Sequence, residues 1–107
     1  ADLRRQARAV EASGAFGLVL ECVPDPLARE ITAAVGIPVV GIGAGVGCDG
    51  QVLVMADLLG LTPGRQPRFV RRFAELGAAA RDALADYHAS VVDRTFPSAK
   101  ESYGVEN

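Results

Sequence analysis

Apolar runs of strand length that alternate with a helical pattern constrain the fold of this 107-residue chain most strongly. The runs cover residues 16–23, 37–42 and 51–55, and a glycine-rich loop separates the last two. Between the first two runs, residues 26–35 place apolar side chains on one helical face. Apolar strands that alternate with amphipathic helices predict an α/β fold, in which helices cover a parallel sheet.

The flanking segments complete the predicted domain. Residues 1–13 are predicted as an amphipathic helix with Asp2 as a candidate N-cap, and 14–60 as a strand–helix–strand–strand core. Residues 68–94 are predicted as a long C-terminal helix and 95–107 as a polar tail. Because a closed eight-stranded barrel needs about 250 residues, these strands form either a small open sheet or the last part of a barrel. The chain opens inside a helical pattern without Met, which favours the latter part of a longer polypeptide.

Composition excludes several classes of function. The formal net charge of −2 leaves no basic excess to neutralise phosphates, which argues against general nucleic-acid binding. No apolar run approaches the ~20 residues that span a bilayer, and no signal segment opens the chain. Two cysteines are too few for a disulfide framework. We therefore expect a soluble, cytoplasmic protein with reduced cysteines.

Glu21 is the first candidate for chemistry, because it lies near the carboxyl end of an apolar strand. Reacting groups gather at that end of the strands in α/β barrels and open sheets. A carboxylate that is partly desolvated there is suited to general acid or base catalysis. The alternative is a structural glutamate on the outer face of the strand, or one paired with an arginine such as Arg29.

The second candidate is the glycine-rich segment that follows the next strand, with Gly43, Ala44 and Gly45 at its centre. Glycines at a strand end allow backbone N–H groups to approach a phosphate or carboxylate closely. The spacing does not match a dinucleotide-binding fingerprint. A tight strand-exit turn without a ligand explains the pattern equally well.

Other polar residues have simpler interpretations. Asp49 with Gly50 is typical of a turn, and Asp57 is either at a strand mouth or at a helix N-cap. Cys22 is predicted to be a small buried hydrophobe, and His88 to lie on the surface of the last helix or in an interface. The basic segment 65–72 is predicted as the solvated start of the last helix, with binding of an anion or of a folate tail as the alternative.

Taken in order, three segments of the chain closely resemble the ketopantoate hydroxymethyltransferase family. They are LVLECVP, then GIPVVGIGAGVGCDGQVLVMADLLGL, and a closing FPSAKESY. The resemblance covers nearly the whole chain, from the opening helix to Tyr103. It implies a (βα)8 barrel of the phosphoenolpyruvate/pyruvate type, of which this chain is the last three βα units with the C-terminal helix.

The resemblance also implies a reaction. Enzymes of this family transfer a hydroxymethyl group from methylene-tetrahydrofolate to 3-methyl-2-oxobutanoate, giving 2-dehydropantoate in the first step of pantothenate biosynthesis. Glu21 matches the family's general base, and Gly43, Ala44 and Gly45 border the mouth of the site. The family's Mg²⁺ ligands are expected upstream of this chain, so none is assigned here. A cytoplasmic homo-oligomer, commonly a decamer, is implied as well.

One departure and two alternatives remain. Glu101 stands where the family's closing motif usually has His, so no contact of the tail with folate or a neighbouring subunit is carried over. Related barrels of the phosphoenolpyruvate mutase and isocitrate lyase type also perform enolate chemistry on keto acids, but without a folate. A small ligand-binding or assembly module without catalysis is the alternative from a different class.

Overall fold

A computed structural model gives the structure of the chain and describes residues 2–104. Residue 1 of the predicted first helix and residues 105–107 of the predicted tail lie outside the described residues. The elements, in chain order, are α1 (Leu3–Ala12), β1 (Leu18–Glu21), α2 (Asp25–Ala34), β2 (Val39–Ile42), β3 (Gly50–Gln51), α3 (Met55–Leu58), α4 (Leu76–Val92) and a 3-10 turn (Ala99–Glu101).

The three strands form one parallel sheet in the order β1–β2–β3. Leu18 is opposite Val39 in the register, and Glu21 is opposite Ile42 at the carboxyl edge. Helix α2 forms the crossover from β1 to β2, as in a βα unit, whereas residues 43–49 join β2 to β3 without a helix. The predicted α/β class with a parallel sheet is therefore confirmed.

One face of the sheet is covered and the other is not. On the covered face, the side chains of Leu20 and Val39 are buried in an apolar cluster with Ala7 of α1 and Ile31 of α2. The opposite face carries Val19, which is 60% exposed, and Glu21, which is also exposed. Because side chains alternate along a strand, all apolar burial by α1 and α2 lies on a single face.

The two covering helices are tied together by polar contacts at their ends. Asp2 caps α1 by accepting a hydrogen bond from the Arg4 N–H at 3.1 Å, which confirms the predicted N-cap. Arg4 donates from Nε to Glu30 of α2 at 2.6 Å. Glu11 accepts a hydrogen bond from the Gly36 N–H, also at 2.6 Å. These contacts fix α1 against the segment that leads from α2 into β2.

The long C-terminal helix is shorter than predicted, because α4 begins at Leu76 rather than at residue 68. The Phe73 N–H donates to the carbonyl of Leu58, the last residue of α3, at 2.7 Å. The N–H groups of Leu76 and Gly77 donate to the carbonyls of the next two residues, Leu59 and Gly60, at 3.0 Å. These tertiary hydrogen bonds hold the segment before Leu76 in a non-helical path. No side chain of α4 is buried, and the apolar residues Leu84 and Tyr87 are 67% and 57% exposed.

The third apolar run also differs from a simple strand. Only Gly50 and Gln51 pair in β3, and α3 begins at Met55. Asp57 lies in the first turn of α3 while Val54 is the cap residue, so the N-cap interpretation of Asp57 is wrong. Within the part of the chain that the structure describes, no helix is both long enough and apolar enough to cross a membrane.

Candidate functional site

Glu21 lies at the carboxyl edge of the sheet, on the face that α1 and α2 leave uncovered. Its neighbour in the register, Ile42, is the last residue of β2, so both strands end at the same level. Glu21 is exposed rather than partly desolvated as expected, because nothing in the described chain covers this face. Arg29 pairs with Asp25 instead, so the alternative of a Glu21–Arg29 pair is wrong.

Cys22 follows Glu21 in a backbone conformation that is unusual for any residue except glycine. Its φ is 55°, in the left-handed region, and its N–H donates to the Ile42 carbonyl at 2.9 Å. Its side chain is exposed, so the prediction of a buried cysteine is wrong. The left-handed turn ends the strand here and directs the chain towards Val23, which is buried again.

The glycine-rich segment after β2 forms a turn that packs closely on its surroundings. Gly43 has a φ of 65°, and a Cβ placed on it would lie 2.9 Å from the ring of Phe69. Gly45 has a φ of 81°, and a Cβ there would collide with the carboxylate of Asp25. Ala44 between them is fully buried. Positive φ and close packing together explain why glycine occupies both positions, while a ligand role for this segment stays a prediction.

A cleft of about 570 Å³ lies beyond the carboxyl ends of β1 and β2. Its volume falls in the range of small-molecule sites, and its position is the one at which parallel sheets bind ligands. Glu21 does not line this cleft and instead borders a second cavity, of about 260 Å³, between α1 and the outer edge of β1. The residues that line the larger cleft include Cys22, Asp25, Gly43, Gly45, Arg68 and Phe69.

Asp25 and Arg29 form an ion pair across one turn of α2, with Arg29 Nε donating to Asp25 Oδ2 at 2.9 Å. The other carboxylate oxygen, Oδ1, is buried beneath Gly45 and has no hydrogen-bond partner among the described residues. Asp25 lies in the first turn of α2, where a negative charge is favoured by the helix dipole. The negative charge of Asp25, which lines the cleft, is therefore neutralised by Arg29.

The segment between α3 and α4 closes the cleft from the other side. The Val70 N–H donates to the Pro67 carbonyl at 3.0 Å, and this turn presents Arg68 and Phe69 to the cleft. From the sequence, residues 65–72 are a candidate anion-binding segment, but the expected start of the last helix at residue 68 conceals that Arg68 and Phe69 line a cleft. The prolines and the glycine of residues 63–67 indicate a loop there, but they do not show that the non-helical segment extends to residue 75.

The donor set for a metal ion is incomplete in this part of the molecule. Among residues 2–104, no three His, Cys, Asp or Glu side chains come together in a way that could hold a metal. His88 lies exposed on α4. A magnesium ion therefore does not fit the described residues as a complete site.

Comparisons with known proteins identify the family. The family model described as ketopantoate hydroxymethyltransferase matches residues 1–99. The chain is 54% identical over 102 residues to the 3-methyl-2-oxobutanoate hydroxymethyltransferase of Anaeromyxobacter dehalogenans, covering 95% of this chain and 33% of that protein. It is 50% identical over 106 residues to the protein of the same name from Heliobacterium modesticaldum, covering 99% and 38%. The chain spans about a third of the length of these curated relatives, and it belongs to the ketopantoate hydroxymethyltransferase family.

Proposed function

We propose that this chain provides the C-terminal third of a (βα)8-barrel enzyme that forms 2-dehydropantoate. The substrates are 3-methyl-2-oxobutanoate and methylene-tetrahydrofolate, and the reaction is the first step of pantothenate biosynthesis. The observation that carries the proposal is the family match over residues 1–99. Three consecutive parallel strands, with α1 and α2 on one face of the sheet, support the assignment to a barrel.

The uncovered sheet face is the part of this chain that we assign to the barrel interior. Val19 and Glu21 project from it, and the covered face carries the helices that would form the outer ring. Active sites of such barrels lie at the carboxyl ends of the strands. Glu21 occupies that edge, so its carboxylate would face a substrate bound at the top of the barrel.

Glu21 would then act as the general base. Its carboxylate takes the single proton from the carbon beside the keto group of 3-methyl-2-oxobutanoate, which leaves an enolate. The enolate carbon forms a bond to the one-carbon unit of methylene-tetrahydrofolate, water supplies the hydroxyl oxygen, and tetrahydrofolate leaves. Because the described residues do not hold a magnesium site, we place the Mg²⁺ ligands in the remainder of the enzyme and assign no step to the metal.

Assembly and location follow from the same proposal. The apolar residues of α4 are exposed, and an enzyme of the relatives' length would supply surfaces to cover them. We propose a cytoplasmic homo-oligomer, in line with the decamer that the resemblance implies.

A chimaeric enzyme tests the function directly. In it, this chain replaces the matching third of the Anaeromyxobacter dehalogenans relative. We expect it to form 2-dehydropantoate only when methylene-tetrahydrofolate is present. Enolate formation without any use of the folate would instead indicate chemistry of the phosphoenolpyruvate mutase type, and absence of both activities would contradict the proposal.

The role of Glu21 is tested by isotope exchange in the chimaeric enzyme. In heavy water, Glu21→Gln should slow exchange of the keto-acid proton by at least about 100-fold, since general base catalysis typically contributes that much. Binding of Mg²⁺, measured by calorimetry, should be unchanged. Glu30→Gln, which alters a carboxylate on the helical side of the sheet, is the matched control. Exchange at the wild-type rate in Glu21→Gln would remove Glu21 from this role.

A further inference from the structure

The cleft beyond β1 and β2 contains an arginine that the proposed proton transfer does not use. Arg68 lines it from the segment before α4, opposite Cys22 and Asp25. Glu21 does not line this cleft, although Val23 borders both the cleft and the cavity beside Glu21. Its volume of about 570 Å³ is larger than a small branched keto acid needs, so the cleft has room for another ligand.

Arg68 is the arginine of residues 65–72 that lines the cleft, and it differs from Arg71 and Arg72 in its contacts. Arg71 lies over the ring of Phe73, with its guanidinium carbon 5.6 Å from the ring centroid. Arg72 donates to the Thr62 carbonyl at 2.7 Å and pairs with Glu75. Within residues 2–104, Arg68 has neither a hydrogen-bond nor an ion-pair partner for its guanidinium. Its charge is therefore available to a ligand.

The position of Arg68 is set by its neighbour. Phe69 packs against Gly43, so closely that a Cβ on Gly43 would lie 2.9 Å from the ring. The turn from Pro67 to Val70 holds the backbone of both residues. The packing of Phe69 and this turn hold the backbone of Arg68 in place. Ligand binding then has to order only the Arg68 side chain, which lowers the entropy cost of binding.

The charge balance of the cleft favours an anion. Asp25 is the acidic residue of the lining, and Arg29 compensates it at 2.9 Å. Because the charge of Asp25 is already compensated, Arg68 gives the cleft a net positive charge. Its other walls include the apolar residues Val23, Pro24 and Phe69. An arginine on a mostly apolar surface suits a ligand with an aromatic or apolar body and a carboxylate at one end.

We propose that Arg68 binds a carboxylate of the glutamate moiety of the folate co-substrate, with the aminobenzoyl part lying along the apolar wall. This inference rests on the proposed function, because it takes methylene-tetrahydrofolate as the co-substrate. Arg68 is a specificity-determining residue in this scheme. It contacts the end of the folate away from the reacting carbon, and therefore affects binding more than chemistry.

The experiment compares two co-substrates in the chimaeric enzyme. One is methylene-tetrahydrofolate, and the other is methylene-tetrahydropteroate, which lacks the glutamate. Arg68→Gln should raise the KM for methylene-tetrahydrofolate roughly three- to tenfold, as loss of one partly exposed charged contact does. It should leave kcat and the KM for the keto acid unchanged, and have no effect on the KM for methylene-tetrahydropteroate. Arg68→Lys keeps the positive charge but lacks the planar guanidinium that can donate two hydrogen bonds to a carboxylate. It should therefore have a KM for methylene-tetrahydrofolate between those of the unsubstituted enzyme and Arg68→Gln.

Arg71→Gln is the matched control, because it removes the same charge from the same segment at a side chain engaged with Phe73. An equal rise in KM for Arg71→Gln would indicate a general charge effect and overturn the proposal. An equal rise for both co-substrates, or a rise in the KM for the keto acid alone, would also overturn it. Absence of activity in the unsubstituted chimaeric enzyme would count against the proposed function, whereas a wild-type KM in an active Arg68→Gln enzyme would count against Arg68 only.

Discussion

Asp49 hydrogen-bonds both backbone polar groups of Val39 on the β3 side of β2, one residue before the pairing of Val40 with Gly50 begins. The Asp49 carboxylate accepts a hydrogen bond from the Val39 N–H at 2.8 Å, while the Asp49 N–H donates to the Val39 carbonyl at 2.9 Å. Val39 is fully buried, so its N–H has no access to water. The Asp49–Gly50 pair is thus more than a turn, because its carboxylate completes the hydrogen bonding at the start of β2.

The first prediction follows from this contact. Asp49→Ala should lower the free energy of unfolding by about 1 to 3 kcal/mol, because a buried N–H loses its acceptor. Asp49→Asn keeps an acceptor oxygen at the same position and should cost less. The measurement is urea denaturation of the chimaeric enzyme, with hydrogen exchange at the Val39 amide as the local readout. Asp86→Ala, at an exposed position on α4, is the control. Equal losses for Asp49→Ala and Asp86→Ala would contradict the account.

The second prediction separates backbone strain from packing at Gly45. Gly45 and Gly64 both have a φ of 81°, but a Cβ on Gly45 would collide with Asp25, whereas a Cβ on Gly64 would meet nothing within 4 Å. Gly64→Ala should therefore cost only the left-handed strain, about 1 to 2 kcal/mol. Gly45→Ala should cost a further 1 to 3 kcal/mol or so, because the Asp25–Arg29 pair has to move.

The comparison uses urea denaturation of both variants of the chimaeric enzyme under identical conditions. A larger loss for Gly45→Ala is the expected result. If the two losses agree within error, the contact between Gly45 and Asp25 contributes nothing measurable, and the glycine is required only for its φ.

The elements that the sequence predicts well are those decided by local pattern. The alternation of apolar runs with helical spacing predicts β1, α2 and β2 in parallel order, and Asp2 marks the start of α1. These features depend on residues close in sequence, so periodicity and capping chemistry are sufficient to find them. The position of Glu21 at the carboxyl edge follows from the same alternation.

The remaining features depend on contacts between distant residues. Residues 68–75 have a pattern compatible with a helix, but hydrogen bonds such as Phe73 N–H to the Leu58 carbonyl, at 2.7 Å, hold them in another conformation. Arg68 and Phe69 consequently reach the cleft, and no periodicity in the sequence indicates this. The left-handed φ of Cys22 is equally hidden, because the hydrogen bond to Ile42 joins two strands.

The third prediction concerns Glu101, whose role in this chain is local. A side-chain hydrogen bond from Ser98 Oγ–H, at 2.6 Å, and a backbone one from the Ser98 N–H, at 2.8 Å, hold the pKa of Glu101 below its ordinary value of 4.5. Together with the bond that Ser98 Oγ accepts from the Lys100 N–H, they form a capping box at the 3-10 turn. A glutamate at this position therefore stabilises the turn.

The pH dependence follows from the direction of that shift. Because the folded pKa is depressed, the ionised carboxylate stabilises the turn fully above the unfolded value of 4.5, and this contribution is lost as the pH falls through the lower folded pKa. Carboxyl-directed NMR titration of the chain, labelled with ¹³C at its glutamates, should show Glu101 titrating below 4.5, with the Ser98 amide shift following it. In Ser98→Ala the pKa should return towards the ordinary value.

Glu101→Gln provides the control for this titration, since its neutral side chain still accepts a hydrogen bond but does not ionise in this range. The Ser98 amide shift in that variant should lose its acidic titration step. A Glu101 pKa that is the same with and without the Ser98 hydroxyl would mean that the capping box does not set it. The hydrogen bonds from Ser98 would then hold Glu101 in the turn without favouring its ionised form.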